Sequence, residues 1–220
     1  MMEELMTYKS VYDETVLQVF GNFRDSIENL KLTSDYVVSI RKIVNLCKIK
    51  IRYLEDEIET DCNIYHSAST KLKKKPESDS RHRIIWISAF DSDARQRFDI
   101  ASNLFLILNP FFEKEISERY KDLKEVEVHN LALLTANNFA ADLLMPRKLV
   151  VNALVKAMRL LNYDAKENFS EMDIDLVANR AAKIMHVPSD SFKYRLTVLG
   201  LFRWYVWVIR RRVKTVMLRL

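Results

Sequence analysis

Arg95-Gln-Arg-Phe-Asp-Ile-Ala-Ser-Asn-Leu-Phe-Leu-Ile-Leu108 is the stretch whose reading decides the fold, together with a second run, Ala136-Asn-Asn-Phe-Ala-Ala-Asp-Leu-Leu-Met-Pro146. Both predict helices. Ser92-Asp93 can cap the first, and Asn109-Pro110 stops it, because a residue before proline is pushed out of the helical region. The second closes at Met145-Pro146 for the same reason. Residues four apart share a helix face, so Ser102 and Leu106 lie one above the other, with Asn103 next to the first of them.

Two further blocks complete the pattern: Leu176-Val-Ala-Asn-Arg-Ala-Ala-Lys-Ile-Met-His-Val187 and Ser191-Phe-Lys-Tyr-Arg-Leu-Thr-Val-Leu-Gly200. From about Cys62 to about Leu201 the chain resembles the ImmA/IrrE family, zinc-dependent peptidase-like proteins that usually act on helix-turn-helix repressors of phages, mobile elements and stress regulons. Members typically run Arg-Phe-(Thr/Ser)-(Leu/Ile)-Ala directly into His-Glu-x-x-His. Here Arg97-Phe98-Asp99-Ile100-Ala101 leads into Ser102-Asn103-Leu104-Phe105-Leu106.

The family's chemistry follows from helix geometry. Two histidines four apart reach one zinc, and the glutamate beside the first acts as general base toward the zinc-bound water. A third ligand, a glutamate, lies just ahead of the Ala-Asn of the second segment, within about one helical turn. At the matching positions here, Ser102 is a feeble ligand, Leu106 is none, and Asn103 cannot take a proton. Leu133, Leu134 and Thr135 fill the third interval without an acid. The resemblance therefore implies a peptidase frame with neither its metal ligands nor its base, and no cofactor is expected. Apolar residues at helical spacing also suit the core of an unrelated helical domain, and that plainer reading stays open.

With 220 residues the chain is one domain, or a domain with an appendage, able to bury about 70% of its unfolded surface. Two glycines and four prolines leave few sharp turns, so helix should dominate. The start, Met1-Met-Glu-Glu-Leu-Met, lacks a basic and an apolar segment, which predicts a cytoplasmic protein. Cys47 and Cys62 match no metal spacing and are expected to be reduced and buried. His66, His82, His129 and His186 are scattered, and no Gly-x-Ser-x-Gly turn, phosphate loop or Cys/His pair in a recognisable setting occurs.

Leu5, Tyr8, Tyr12, Val16, Val19, Phe23, Ile27 and Leu30 recur at helical steps and predict one amphipathic helix. Thr33-Ser34-Asp35 suits the cap of a second, whose stripe is Val37, Ile40, Val44, Cys47, Ile51, Leu54 and Ile58. Asn63-Ile-Tyr-His-Ser-Ala68 and Arg83-Ile-Ile-Trp-Ile-Ser-Ala-Phe90 read as two strands joined by a polar loop holding Lys71, Lys73, Lys74 and Lys75. A charged segment, Glu113 to Lys124, precedes the second signature helix. Helices are predicted over Leu149 to Leu161 and Met172 to Met185, and Val187-Pro188-Ser189-Asp190 opens another.

From Arg203 to Leu220 there are six basic residues and no acidic ones, so without them the formal charge of +5 becomes −1. The apolar run Val198 to Ile209 is too short to span a bilayer, which takes about 20 residues. Three uses remain: docking on the protein's own core, insertion into a partner or second subunit, or lying on an anionic membrane surface. Arg203, Trp204, Tyr205, Trp207, Arg210, Arg211 and Arg212 match the composition of protein-binding hot spots, which favours protein contact. Direct nucleic-acid binding ranks lower, because no recognition helix with a preceding turn can be identified.

The expectation is an α+β, predominantly helical fold, with a zincin-like core, a small β-sheet and added N- and C-terminal helices. It divides into an N-terminal helical region (1–60), an ImmA/IrrE-like pseudo-metallopeptidase domain (61–200) and a basic aromatic tail (201–220). Function then rests on binding a protein, a helix-turn-helix repressor or antitoxin, with homo-oligomerisation open. The alternatives are a hydrolase with a non-standard site and a membrane-surface toxin acting through the tail.

Overall fold

The computed structural model describes residues 7–32, 34–54, 83–163 and 169–201. Cys62, the Asn63–Ala68 segment, the lysine-rich loop and the tail residues Arg203 to Arg212 lie outside them. In order, the described elements are α1 (Glu14–Gln18), α2 (Arg24–Glu28), α3 (Ile40–Leu46), β1 (Lys50–Leu54), β2 (Ile84–Ser88), α4 (Asp93–Leu108), α5 (Phe112–Arg119), α6 (Glu125–Leu144), α7 (Arg147–Leu160), α8 (Glu171–Met185) and α9 (Ser189–Val198). The fold is α+β and predominantly helical, with a small parallel sheet in which Lys50 pairs with Ile84 and Leu54 with Ser88.

α4 is the central helix. Ser92 caps it by accepting from the Arg95 amide at 3.3 Å, as the sequence predicts. Eight consecutive residues, Phe98 to Phe105, are buried, so this helix needs neighbours on every side. It finds them in α3, β2 and above all α6. α6 in turn touches α1, α5 and α9. A single hydrophobic cluster runs from Tyr8 through Cys47, Ile85 and Leu104 to Phe192 and Leu201, so residues on both sides of position 60 share one core.

The C-terminal helices match their predicted extents. α7 buries Leu149, Val150, Ala153, Leu154, Ala157 and Met158, a stripe that repeats every turn, and packs on α8, which buries the small residues Ala178, Ala181 and Ala182. Ser170 accepts from the Asp173 amide while Asp173 accepts from the Ser170 amide, a reciprocal cap at the head of α8. His186 ends that helix in the left-handed conformation (φ 54°), and Pro188 leads into α9.

Two expectations fail in the N-terminal quarter. Leu5 lies outside the described residues, and from Tyr8 to Leu30 no single helix runs. The described part consists of α1, α2 and 3-10 turns at Tyr8–Ser10 and Gly21–Phe23, and Gly21 has a φ of 49°. The chain folds back on itself, with the Tyr8 amide donating to Leu30 O at 2.9 Å, an approach that a straight helix about 1.5 Å per residue long forbids. The apolar spacing marks buried positions, Tyr8, Tyr12, Val16 and Ile27, rather than one rod. Nor does the second stripe form one helix. α3 begins only at Ile40 and stops when Lys48 takes a φ of 56°, and Lys50–Leu54 is the strand β1. Alternation of Lys48, Lys50 and Arg52 with Ile49, Ile51 and Tyr53 is the period-two signature of a strand. The strand Arg83–Phe90 is found as β2, but its described partner is β1 and the pairing is parallel.

The last turn of α6 is tied down by side chains from distant segments. Tyr12 Oη donates to Leu143 O at 2.8 Å, and Arg195 Nε donates to Met145 O at 3.1 Å while its guanidinium pairs with Asp142. These contacts satisfy carbonyls that the helix end leaves without internal partners.

Candidate functional site

Ser102 and Asn103 lie in the middle of the buried run of α4, and Leu106 one turn further on is half-buried against the core. α6 supplies the other wall. Ser102 Oγ donates to Asn137 Oδ1 at 2.9 Å, bridging the two helices. Leu133, one turn before Asn137 on the same helix, is half-buried, whereas Leu134 is exposed. Thr135 turns its hydroxyl back onto Leu131 O at 2.9 Å. Phe105 stacks at a tilt on Phe139, 5.4 Å between centroids, and edge-on against Phe112 at 5.1 Å.

These residues do not fit a zinc ion. The hydroxyl of Ser102 is engaged with an amide oxygen, both leucines are apolar, and the Asn103 amide donates to Asp99 O on its own helix at 2.9 Å. Among the described residues no three His, Cys, Asp or Glu side chains come together as a metal set. His129 is exposed and bonded to Glu113 at 2.8 Å, and His186 is exposed with Asp93 at 3.6 Å. Burial pushes the Cys47 thiol up to about 11, which removes it as a nucleophile near neutral pH.

Sequence reasoning did not single out two of the polar groups here. Asn137 belongs to the Ala-Asn frame of the second signature, yet its side chain is the partner that holds Ser102. Asp99 is buried, and its carboxyl is pushed up to about 6, chiefly because burial disfavours the charged form. Arg95 Nε, 3.1 Å from Asp99 Oδ2, pulls the other way, and the neighbouring charge of Asp91 adds to the rise. Asp91 itself keeps a buried Oδ2 without a hydrogen-bond partner. No local pattern signals either feature, since both depend on which helix covers α4.

Removing the Ser102 hydroxyl tests the bridge. Ser102→Ala is expected to cost about 1–2 kcal/mol in chemical denaturation, because it takes the donor away from the half-buried Asn137 amide oxygen. A loss below about 0.3 kcal/mol would mean that the bond is immaterial.

The arrangement holds two helices in register through one hydroxyl–amide bond. The tail residues Arg203, Trp204, Tyr205, Trp207, Arg210, Arg211 and Arg212 lie outside the described residues, so nothing places them relative to this site. Among the described residues no helix is long and apolar enough to cross a membrane. No known family model matches the sequence, and no curated protein matches it.

Proposed function

We propose that the chain is a non-catalytic, zincin-like relative of ImmA/IrrE peptidases that works in the cytoplasm by binding a protein. The partner is a helix-turn-helix repressor or antitoxin of a phage, mobile element or toxin–antitoxin module. The observation that carries this reading is the Ser102–Asn137 bond, which joins the two signature helices by a hydroxyl and an amide where the family would hold a cation. A fold can keep a recognition surface after its chemistry is lost, because binding and catalytic groups are separate parts of the molecule. The hot-spot composition of residues 203–212 supports a protein partner.

Co-expression with the helix-turn-helix protein encoded beside it, followed by size-exclusion at micromolar concentration, is expected to give one co-eluting peak. The purified chain is expected to carry no stoichiometric zinc. Separate elution would overturn the choice of partner. Stoichiometric zinc would overturn the loss of catalysis and favour a hydrolase.

A further inference from the structure

Strand β1 presents an edge as well as a face. The Lys50 amide donates to Arg83 O at 2.8 Å, so the backbone groups of Lys50 and Arg52 point toward β2 and those of Ile51 and Tyr53 point away. Among the described residues, Ile51 and Tyr53 have no backbone partner on that outer side. An edge left unpaired among the described residues is a template for another strand. A groove of about 360 Å³ lies beside it, lined by Arg41, Asn45, Ile49, Lys50, Ile51 and Arg52. Three of those six residues are cations and none is a carboxylate. Arg41 is steered toward the edge by Tyr53, whose hydroxyl accepts from its guanidinium and whose ring centroid lies 5.8 Å away.

The geometry points to β1 as the docking edge for an acidic, extended segment of a protein partner, added to the sheet as a strand. Its backbone would pair with Ile51 and Tyr53, and its carboxylates would lie against Arg41, Lys50 and Arg52. A polypeptide suits the edge better than single-stranded nucleic acid does. Alternating N–H and C=O groups are matched by another backbone, whereas bases need a series of aromatic platforms, and among the described residues Tyr53 is the one aromatic ring at this edge. The inference rests on the protein-binding reading and adds where a partner's chain is held.

The probe is a fluorescein-labelled eight-residue peptide alternating glutamate and valine, titrated into the full chain and followed by anisotropy. Saturable binding that weakens with salt is expected. The double variant Lys50→Glu, Arg52→Glu is expected to weaken it by about tenfold or more. Methylating alternate backbone nitrogens of the peptide is expected to do the same, and the Ile51 and Tyr53 amides should exchange more slowly once the peptide is bound. The inference is overturned by absent saturation, by equal binding of the methylated peptide or of oligothymidylate, or by protection of both amides before any peptide is added. The repressor experiment fails separately. Peptide binding without repressor co-elution sinks the choice of partner and leaves the edge standing, while undiminished repressor co-elution with the double variant sinks the edge alone.

Discussion

Arg97→Ala is expected to lower the unfolding free energy by about 2–4 kcal/mol, with a fall in Tm of roughly 5–15 °C. Arg97 sits in the second turn of α4 and reaches two distant carbonyls: Nε donates to His186 O at 3.0 Å and Nη2 to Val38 O at 3.0 Å. One side chain thereby fastens the central helix to the end of α8 and to the segment before α3. Burial pulls its pKa down, with Asp93 and the Tyr8 and Tyr12 hydroxyls opposing, so the charge is costly to hold and depends on these partners. Arg97→Lys is expected to recover less than half of the loss, because an ammonium on a flexible stem cannot serve two acceptors in one plane. Urea unfolding of the three proteins checks this; a change for Arg97→Ala within about 0.5 kcal/mol would show that the two bonds contribute nothing net.

The second large effect has the opposite sign. Asp99→Asn is expected to raise stability at pH 7 by about 1–3 kcal/mol and to leave it nearly unchanged near pH 4. The folded carboxyl titrates at about 6 against an ordinary value of 3.8, so between those values the folded chain binds a proton that the unfolded chain has released. Stability from this group is therefore complete below about pH 4 and is lost as the pH rises through 6. Asparagine has no proton to lose and avoids the penalty. The groups facing Asp99 are Arg95, on the same helix, and Asp91, from the link after β2; Arg95 keeps the penalty from being larger. Subtracting the two proteins' stability-versus-pH curves isolates Asp99 from the other carboxylates. A flat difference curve would mean that it is charged in the folded protein at all these pH values.

The helices from α4 to α9, other than α5, were legible because each combines an apolar stripe with a start or stop signal, such as Ser92 before α4, Pro146 after α6 and Pro188 before α9. α5 was read only as a charged segment, and its single buried residue, Ile116, is too little to make a period. The N-terminal quarter misled because three- and four-residue steps are also met by short helical pieces folded against one another. β1 did carry its own sign, the strict alternation from Lys48 to Tyr53, which competed with a helical stripe drawn through Cys47, Ile51 and Leu54. The candidate site was legible as positions and not as contacts. Ser102, Asn103, Leu106 and Leu133 could be placed on two helices, but the hydroxyl–amide bridge to Asn137 and the buried carboxyl of Asp99 arise only when those helices meet.

The ties on the last turn of α6 bear on how the chain is made. Tyr12 leaves the ribosome long before Leu143, its acceptor, is translated, and Arg195 emerges 50 residues after Met145, whose carbonyl it holds. Loop closure over such separations is slow, so early segments wait as nascent chain until synthesis is nearly finished. A polypeptide stalled before α9 would leave Asp142 and the Met145 carbonyl without Arg195, and such species are natural targets for chaperones and proteases.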